Sequence, residues 1–419
     1  MIEADKRFFK NISILSLGIA FAQIITLASY PFITRLYSPF DFGILAQFTA
    51  ILSILIPLAS FRYEIAIPLA KDKSEAFHIV TLGVLFTGLN ALVIMIVVVF
   101  AGAQLATFFR RTDLIPFLAL LPLAVTISSF FQLMNYWAIR QKRFDFLAKT
   151  KIGQTCGSIA VQIISGLLNP QPIGLILAII TSNLIGAGSV VMKMFHSDSP
   201  VVKSALFRIA QKYKRTAIVS TISGFINTLG YQLQFFLMAY FYGIKASGFL
   251  LLATNLLVAV DALIGYSVGQ AYYSEAAARY RVNKSSLKPI FIKTSMLLLL
   301  IGSIIAVVIW MASPWAIPFI FGDNWLEAGL YIRYMSIYFL VNLICSPVST
   351  TVFIVGKQQI QIIWDIFRLL MISLCFYIPS YMELKPLDAV IFYSIGSSTA
   401  LTILFIYNLS LVFSAAKNE

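Results

Sequence analysis

Apolar residues in this chain run in blocks of about 20, separated by short polar connections, and no hydrophilic domain interrupts them. A helix needs about 20 residues to cross roughly 30 Å of hydrocarbon. The blocks therefore predict twelve transmembrane helices, at about 11–34, 43–69, 76–100, 114–138, 150–168, 173–194, 216–241, 248–274, 289–312, 329–355, 359–380 and 388–413. The first block carries no cleavage-site pattern and reads as a retained helix.

The longest inner connection, 195–215, lies between spans six and seven and divides the chain into lobes of residues 1–200 and 201–419. It holds His196-Ser-Asp-Ser-Pro200 and then a basic stretch to Arg215, which predicts an interfacial amphipathic helix. The two halves resemble each other. Arg35–Gly43, joining spans one and two, lies 205 residues before Tyr240–Gly248, joining spans seven and eight, so that Tyr37 meets Tyr242 and Gly43 meets Gly248. Six spans per half leave both halves in the same orientation. The expected fold is all-α and polytopic: two six-helix lobes related by a pseudo-twofold axis along the membrane normal, with a cavity between them.

Composition removes the soluble alternatives. Of 419 residues 59% are hydrophobic and 11% charged, against about 25% charged in a globular domain. The net charge of +14 would point to nucleic acid in a soluble protein, but its distribution says otherwise. With the N-terminus inside, 23 of the 31 Lys and Arg fall in inner segments, five in outer ones (Arg110 and Arg111 among them) and three inside spans. That bias places both termini in the cytoplasm and leaves no nucleic-acid partner.

Three cysteines and two histidines leave no disulfide framework or metal centre. Cys156, Cys345 and Cys375 fall in spans and read as small packing residues. His78 and His196 lie at loop edges, and Asn283-Lys-Ser285 is a glycosylation pattern in an inner loop. No G-x-x-x-x-G-K-[ST] loop is present for ATP. No paired-Asp or His-rich cluster supplies a metal-dependent transferase, and the longest outer loop, Ser313–Ala328, has about 16 residues. An enzyme is not expected, nor any cofactor beyond a coupling H⁺ or Na⁺.

Charges inside a span are costly, about 2.5–3.5 kcal/mol each at mid-membrane on insertion scales. Asp261 is the deepest, with Thr254 seven residues earlier on the same face. Span seven carries Asn227, Tyr231 and Gln234, and span one carries Gln23, Thr26, Tyr30 and Thr34, each set on one helical face. Such stripes serve either interhelical packing or a shared polar cavity. Their recurrence on repeat-related helices favours the cavity.

Arg62 lies near Glu64, although a helical i, i+2 spacing puts them on different faces. Asp365 and Arg368 are spaced to pair, Gln132, Tyr136 and Arg140 form a stripe, and Arg333 lies one turn from the outer end of span ten. Snorkelling or structural pairing accounts for each arginine singly. Collected around a cavity, they bind an anion, because guanidinium forms bidentate bonds with phosphate and keeps its charge. Pro57, Pro68 and Pro347 offer kinks that free backbone groups.

The order of several motifs is more specific. Thr34-Arg-Leu-Tyr-Ser-Pro-Phe-Asp-Phe-Gly43, Phe61-Arg-Tyr-Glu-Ile-Ala-Ile-Pro-Leu-Ala70 and Ser74-Glu-Ala76 are followed by Phe321-Gly-Asp-Asn-Trp325, Ala328-Gly329 and Val355-Gly-Lys-Gln358. Together with length and span count, they resemble Wzx-type polysaccharide translocases of the multidrug/oligosaccharidyl-lipid/polysaccharide exporter superfamily. MurJ-type lipid II flippases are relatives that usually have two more spans.

The resemblance implies flipping of undecaprenyl-pyrophosphate-linked oligosaccharide units across a bacterial inner membrane, by alternating access, for O-antigen or other surface polysaccharide. Polymerase and chain-length proteins of the same pathway are the implied partners, with membrane lipids. On this reading Arg62, Arg140 and Arg368 hold the pyrophosphate, with Arg333 helping at the outer side. Gln23, Thr26, Tyr30, Asn227, Tyr231 and Gln234 contact sugars, and Glu64, Asp261 or Asp365 carries a coupling ion. Two rivals stand: a MATE-like exporter of cations, which wants a carboxylate-dominated cavity, and a membrane enzyme of lipid-linked glycan assembly.

Overall fold

The computed structural model describes residues 2–108, 112–195, 202–357 and 359–417. Arg110, Arg111, the His196–Pro200 segment and Gln358, singled out above, lie outside these residues. Fourteen α-helices follow in order: α1 Ile2–Leu36, α2 Pro39–Ala59, α3 Lys73–Phe108, α4 Ile115–Leu118, α5 Leu121–Arg140, α6 Phe144–Leu168 and α7 Pro172–Met194. Then come α8 Lys203–Tyr242, α9 Ile244–Val282, α10 Leu287–Phe321, α11 Leu326–Val348, α12 Thr351–Ile354, α13 Gln359–Tyr381 and α14 Pro386–Lys417. No strand occurs among the described residues.

All but the short α4 and α12 have 20 residues or more, and each predicted span contains the greater part of one long helix, although spans two, four and ten include a break. Among the described residues nine of these are long and apolar enough to cross a membrane; α5, α6 and α8 are more polar, with Gln132, Lys151 and Gln232 among their residues. The chain is an all-α polytopic membrane protein.

Two compact units divide the contacts. Unit 1 comprises Met1–Tyr37 and Ile44–Gln232, and unit 2 comprises Ser38–Gly43 and Leu233–Glu419. The boundary runs inside α2 and inside α8, not in the loop ahead of α8. In unit 1, α1 packs on α6, α6 on α7, and α5 on α3 and α7; in unit 2, α11 packs on α9, α10 and α14, and α13 on α14.

The predicted span boundaries fail in four places, each for a local reason. The block 43–69 is not one helix: α2 ends at Ala59, Phe61 and Arg62 take positive φ (47° and 51°), and a 3-10 turn covers Tyr63–Leu69. Left-handed backbone costs a non-glycine residue on the order of 1 kcal/mol, so tertiary contacts must hold this turn. Span ten stops at Val348, directly after Pro347, and resumes only as α12; the proline lacks an N–H and crowds the preceding turn.

The basic stretch before span seven is not a separate interfacial helix. It is the start of α8, because no Gly or Pro interrupts 203–223. The outer loop at 313–328 is largely absent too, since α10 continues to Phe321 through Pro314 and Pro318.

In unit 2 the glycines that the 205-residue offset pairs come together. A Cβ on Gly248 would lie 2.8 Å from the Gly43 nitrogen and would overlap the Pro39 carbonyl; one on Gly43 would overlap the Ile244 carbonyl. Only glycine admits this backbone-to-backbone approach of the first turns of α2 and α9. Trp325, fully buried, sits edge-on to Phe42 and Phe249 at 4.8 and 6.0 Å nearby. Cys345 and Cys375 are buried, whereas Cys156 is exposed on α6 and is not a packing residue.

Candidate functional site

The left-handed turn after α2 aims Arg62 back at its own unit. Arg62 Nε lies 3.7 Å from Glu64 Oε1, a pairing a continuous helix would forbid, and Ser60 Oγ donates to Glu64 Oε2 at 2.7 Å. Glu64 is 2% exposed, and the Arg62 side chain 26%. The guanidinium extends to Gly224 on α8, where a Cβ would collide with Nη1. Arg62 Nε is buried and has no hydrogen-bond partner among the described residues.

These groups open on a cavity of about 400 Å³ wholly within unit 1. Its polar lining is Arg62, Glu64, Gln132, Thr228, Tyr231 and Gln232, with Ser53, Ile56 and Pro57 of α2 completing the wall. Pro57 has no N–H, so the helical bond to the Ser53 carbonyl is missing on the same wall. The cavity thus offers a cation, a carboxylate, two amides, three hydroxyls and a carbonyl. Tyr231 is 52% exposed and presents an aromatic face. Such a surface suits a hydroxyl-rich ligand carrying an anionic group.

The rest of the 3-10 turn is held from α5. Arg140 Nη1 donates to the carbonyls of Ile67 (3.3 Å) and Ala70 (2.7 Å). Instead of extending the Arg62 cluster, Arg140 satisfies carbonyls at the end of a turn whose own bonds are short-range. Buried Tyr63, Ile67 and Trp137 pack beneath, and Trp137 Nε1 donates to Met194 O at 3.1 Å.

The polar start of α8 closes the same end of unit 1. Tyr63 Oη donates to the Ala210 carbonyl at 3.2 Å, and Lys212 donates to Glu75 Oε1. That bond raises the Lys212 pKa, because it favours the charged ammonium. His78 is buried with Nδ1 2.7 Å from the Ser74 carbonyl, while the Val202 amide donates to Nε2 at 3.4 Å.

The remaining sequence candidates are distributed elsewhere. On α1, the Thr26 and Thr34 hydroxyls donate to the Ala22 and Tyr30 carbonyls of their own helix, so part of that stripe is turned inward on the backbone. Gln23 and Tyr30 are half-buried beside them. Asn227 is on the cavity helix but not in the lining, and Gln234, 4% exposed, lies beyond the unit boundary.

In unit 2, Asp365 and Arg368 do pair, at 3.4 Å, and both are buried. The Arg368 guanidinium stacks over Trp364 at 4.9 Å, and Trp364 Nε1 donates to Ala400 O at 3.1 Å. Arg333 stacks over Trp310 at 5.0 Å. Asp261 on α9 is half-buried, and its Oδ1 has no partner among the described residues; Gly265 leaves room for it one turn on. No group of three His, Cys, Asp or Glu suited to a metal occurs among the described residues.

Ser53, Gly224, Thr228 and Gln232 went unnoticed in the sequence. Thr228 and Gln232 form an i, i+4 pair adjacent to the Asn227–Tyr231 pair, a signal that was legible. Ser53 becomes notable only through Pro57, four residues later.

The architecture matches solved transporters. A MATE-family multidrug resistance transporter of the MOP superfamily, in its inward-facing conformation, superposes with a TM-score of 0.77 at 15% identity, over 96% of this chain and 99% of that one. The lipid II flippase MurJ, inward closed, gives 0.76 at 12% identity, over 96% and 90%. A MOP-superfamily transporter from Pyrococcus furiosus gives 0.59 at 15%, over 97% and 96%. No curated protein sequence matches the chain. The chain therefore shares the fold of these polytopic membrane proteins. Within that class, the sequence profile of a polysaccharide biosynthesis protein family matches residues 32–329, and the chain belongs to that family.

Proposed function

We propose that the protein is a flippase that moves lipid-pyrophosphate-linked oligosaccharide units from the cytoplasmic to the outer leaflet of a bacterial inner membrane. The observation that carries the proposal is the Nε of Arg62, ion-paired to Glu64 at 3.7 Å but without a hydrogen bond among the described residues, in a cavity otherwise rich in amides and hydroxyls. A half-buried guanidinium lacking a full set of acceptors favours a phosphate that supplies them. Gln132, Thr228, Tyr231 and Gln232 would then meet sugar hydroxyls, which cross hydrocarbon only if their hydrogen bonds are replaced. Family membership supports the glycan cargo, and the fold is shared with a lipid II flippase and multidrug exporters.

In this reading two six-span lobes, with both termini cytoplasmic, open alternately to each side. The lipid tail stays in the bilayer, so only the headgroup passes through protein. An inside-negative potential favours outward movement of an anion by about 2.3 kcal/mol per charge per 100 mV, so transport needs no ATP. Arg62 is the principal anchor. Arg140, bonded to carbonyls of the 3-10 turn, would support the site's wall, whereas Arg333 and Arg368 are held on indole rings within unit 2.

A second reading, ion-coupled export of small cations, draws on the unpartnered Asp261 carboxylate. Gene deletion separates the two. Accumulation of lipid-linked units on the cytoplasmic face, reversed by the intact gene, is the result expected of the flippase. Unchanged surface glycan together with new sensitivity to cationic compounds would establish the exporter instead.

A further inference from the structure

A second cavity system lies in unit 2. Two adjoining pockets of about 480 and 370 Å³ share Ile292 and Met296 of α10. One is walled at its mouth by Lys288 and Lys293. The other continues between α10, α11 and α14 along Leu299, Val341, Ile344 and Phe405. On α10, Lys288, Ile292, Ser295, Met296 and Leu299 recur at i, i+4, i+7, i+8 and i+11, so the groove follows one helical face. Its charged end and its apolar length are therefore aligned along the helix, with Lys288 and Ser295 about 10 Å apart by helical rise.

Two features of the groove bear on what it could hold. Lys288 Nζ is held 4.2 Å from the ring centroid of Phe413 on α14, which fixes the cation at the groove mouth. Ser295, 8% exposed, lines the apolar part, and its hydroxyl has no partner among the described residues. A buried donor left unsatisfied is destabilising. The neighbouring Thr402 hydroxyl, by contrast, donates to Ser398 O at 2.8 Å.

We propose that this groove binds one anionic phospholipid, with its phosphate at Lys288 and Lys293, an ester carbonyl at Ser295 and an acyl chain along Leu299 and Phe405. Two lysines complement a phosphate, and basic pockets between transmembrane helices recognise such headgroups. The orphan hydroxyl selects a glycerolipid over a prenyl lipid, because a prenyl chain has no carbonyl to accept its hydrogen bond. The site is independent of the cargo assigned above, since none of its residues belongs to the Arg62 cavity.

The test uses the full chain purified in detergent and titrated with phosphatidylglycerol, phosphatidylcholine or a polyprenyl phosphate, read by native mass spectrometry and thermal melting. The expected result is retention and stabilisation by phosphatidylglycerol, at least fivefold preferred over phosphatidylcholine. Lys288→Gln/Lys293→Gln abolishes the preference with an unchanged lipid-free Tm, Lys288→Arg/Lys293→Arg preserves it, and Leu299→Trp blocks the groove to phosphatidylglycerol. Equal binding of phosphatidylglycerol and phosphatidylcholine overturns the proposal. So does full preference in the Gln pair, or displacement of phosphatidylglycerol by polyprenyl phosphate at equal concentration.

Discussion

The guanidinium of Arg62 occupies the space that a side chain at Gly224 would fill. Arg62 is held by the turn after α2 and Gly224 by α8, so the arginine that lines the cavity depends on a glycine more than 160 residues away. Gly224→Val should displace the guanidinium and impair transport much as Arg62→Ala does. A charge-assisted hydrogen bond is worth about 1.5–3 kcal/mol, so each change should reduce transport by about 10- to 100-fold. Surface-glycan yield in a complemented deletion strain, at matched protein level, measures it. Wild-type yield from both variants would remove Arg62 from the cargo site.

Arg140 should behave differently. Its bonds to the Ile67 and Ala70 carbonyls secure the 3-10 turn, so Arg140→Ala should destabilise the protein by about 1–3 kcal/mol. The thermal midpoint in detergent should fall, while cargo affinity of the folded fraction stays unchanged. Lost affinity at an unchanged midpoint would restore Arg140 to the anion site.

The buried pair Asp365–Arg368 gives a stability cycle. Removing one partner strands a charge and costs about 3–5 kcal/mol, whereas replacing both with apolar residues of similar volume is often close to neutral. Asp365→Leu should therefore lower the melting temperature more than Asp365→Leu/Arg368→Met. If the double variant is the less stable of the two, the pair serves a purpose beyond mutual neutralisation.

Gly43 and Gly248 meet backbone to backbone. Gly248→Ala forces the first turns of α2 and α9 apart, and overpacking of this kind costs about 1–3 kcal/mol. Gly243→Ala offers a contrast: its φ of 96° is strained for alanine, yet a Cβ there meets nothing within 4 Å. The thermal midpoint in detergent should fall for Gly248→Ala through this backbone clash and for Gly243→Ala through φ strain alone. An unchanged midpoint for Gly248→Ala would show that the two helices separate without cost.

Much of this architecture was legible in the sequence because the membrane imposes a one-dimensional rule. A helix must bury its own backbone polar groups and span a fixed thickness, so each apolar block located a long helix, nine of which among the described residues are long and apolar enough to cross a membrane. The breaks were less legible. Phe61 and Arg62 in left-handed conformation contradict local preference, and only contacts such as Tyr63 to Ala210 and Arg140 to Ala70 stabilise the turn.

The same division applies to the site. Sequence alone identified Arg62, Glu64, Gln132 and Tyr231 as polar residues in apolar surroundings, since the cost of burying charge makes each conspicuous wherever it occurs. It also determined the all-helical membrane class and paired Asp365 with Arg368, a local spacing. Which candidates share a cavity was decided by tertiary structure. The left-handed turn brought Arg62 to Glu64 and Gly224, sent Arg140 to backbone carbonyls, and left Arg333 and Arg368 against indole rings. Burial cost belongs to a residue and is written in its type, whereas partnership depends on where separate helices place their faces.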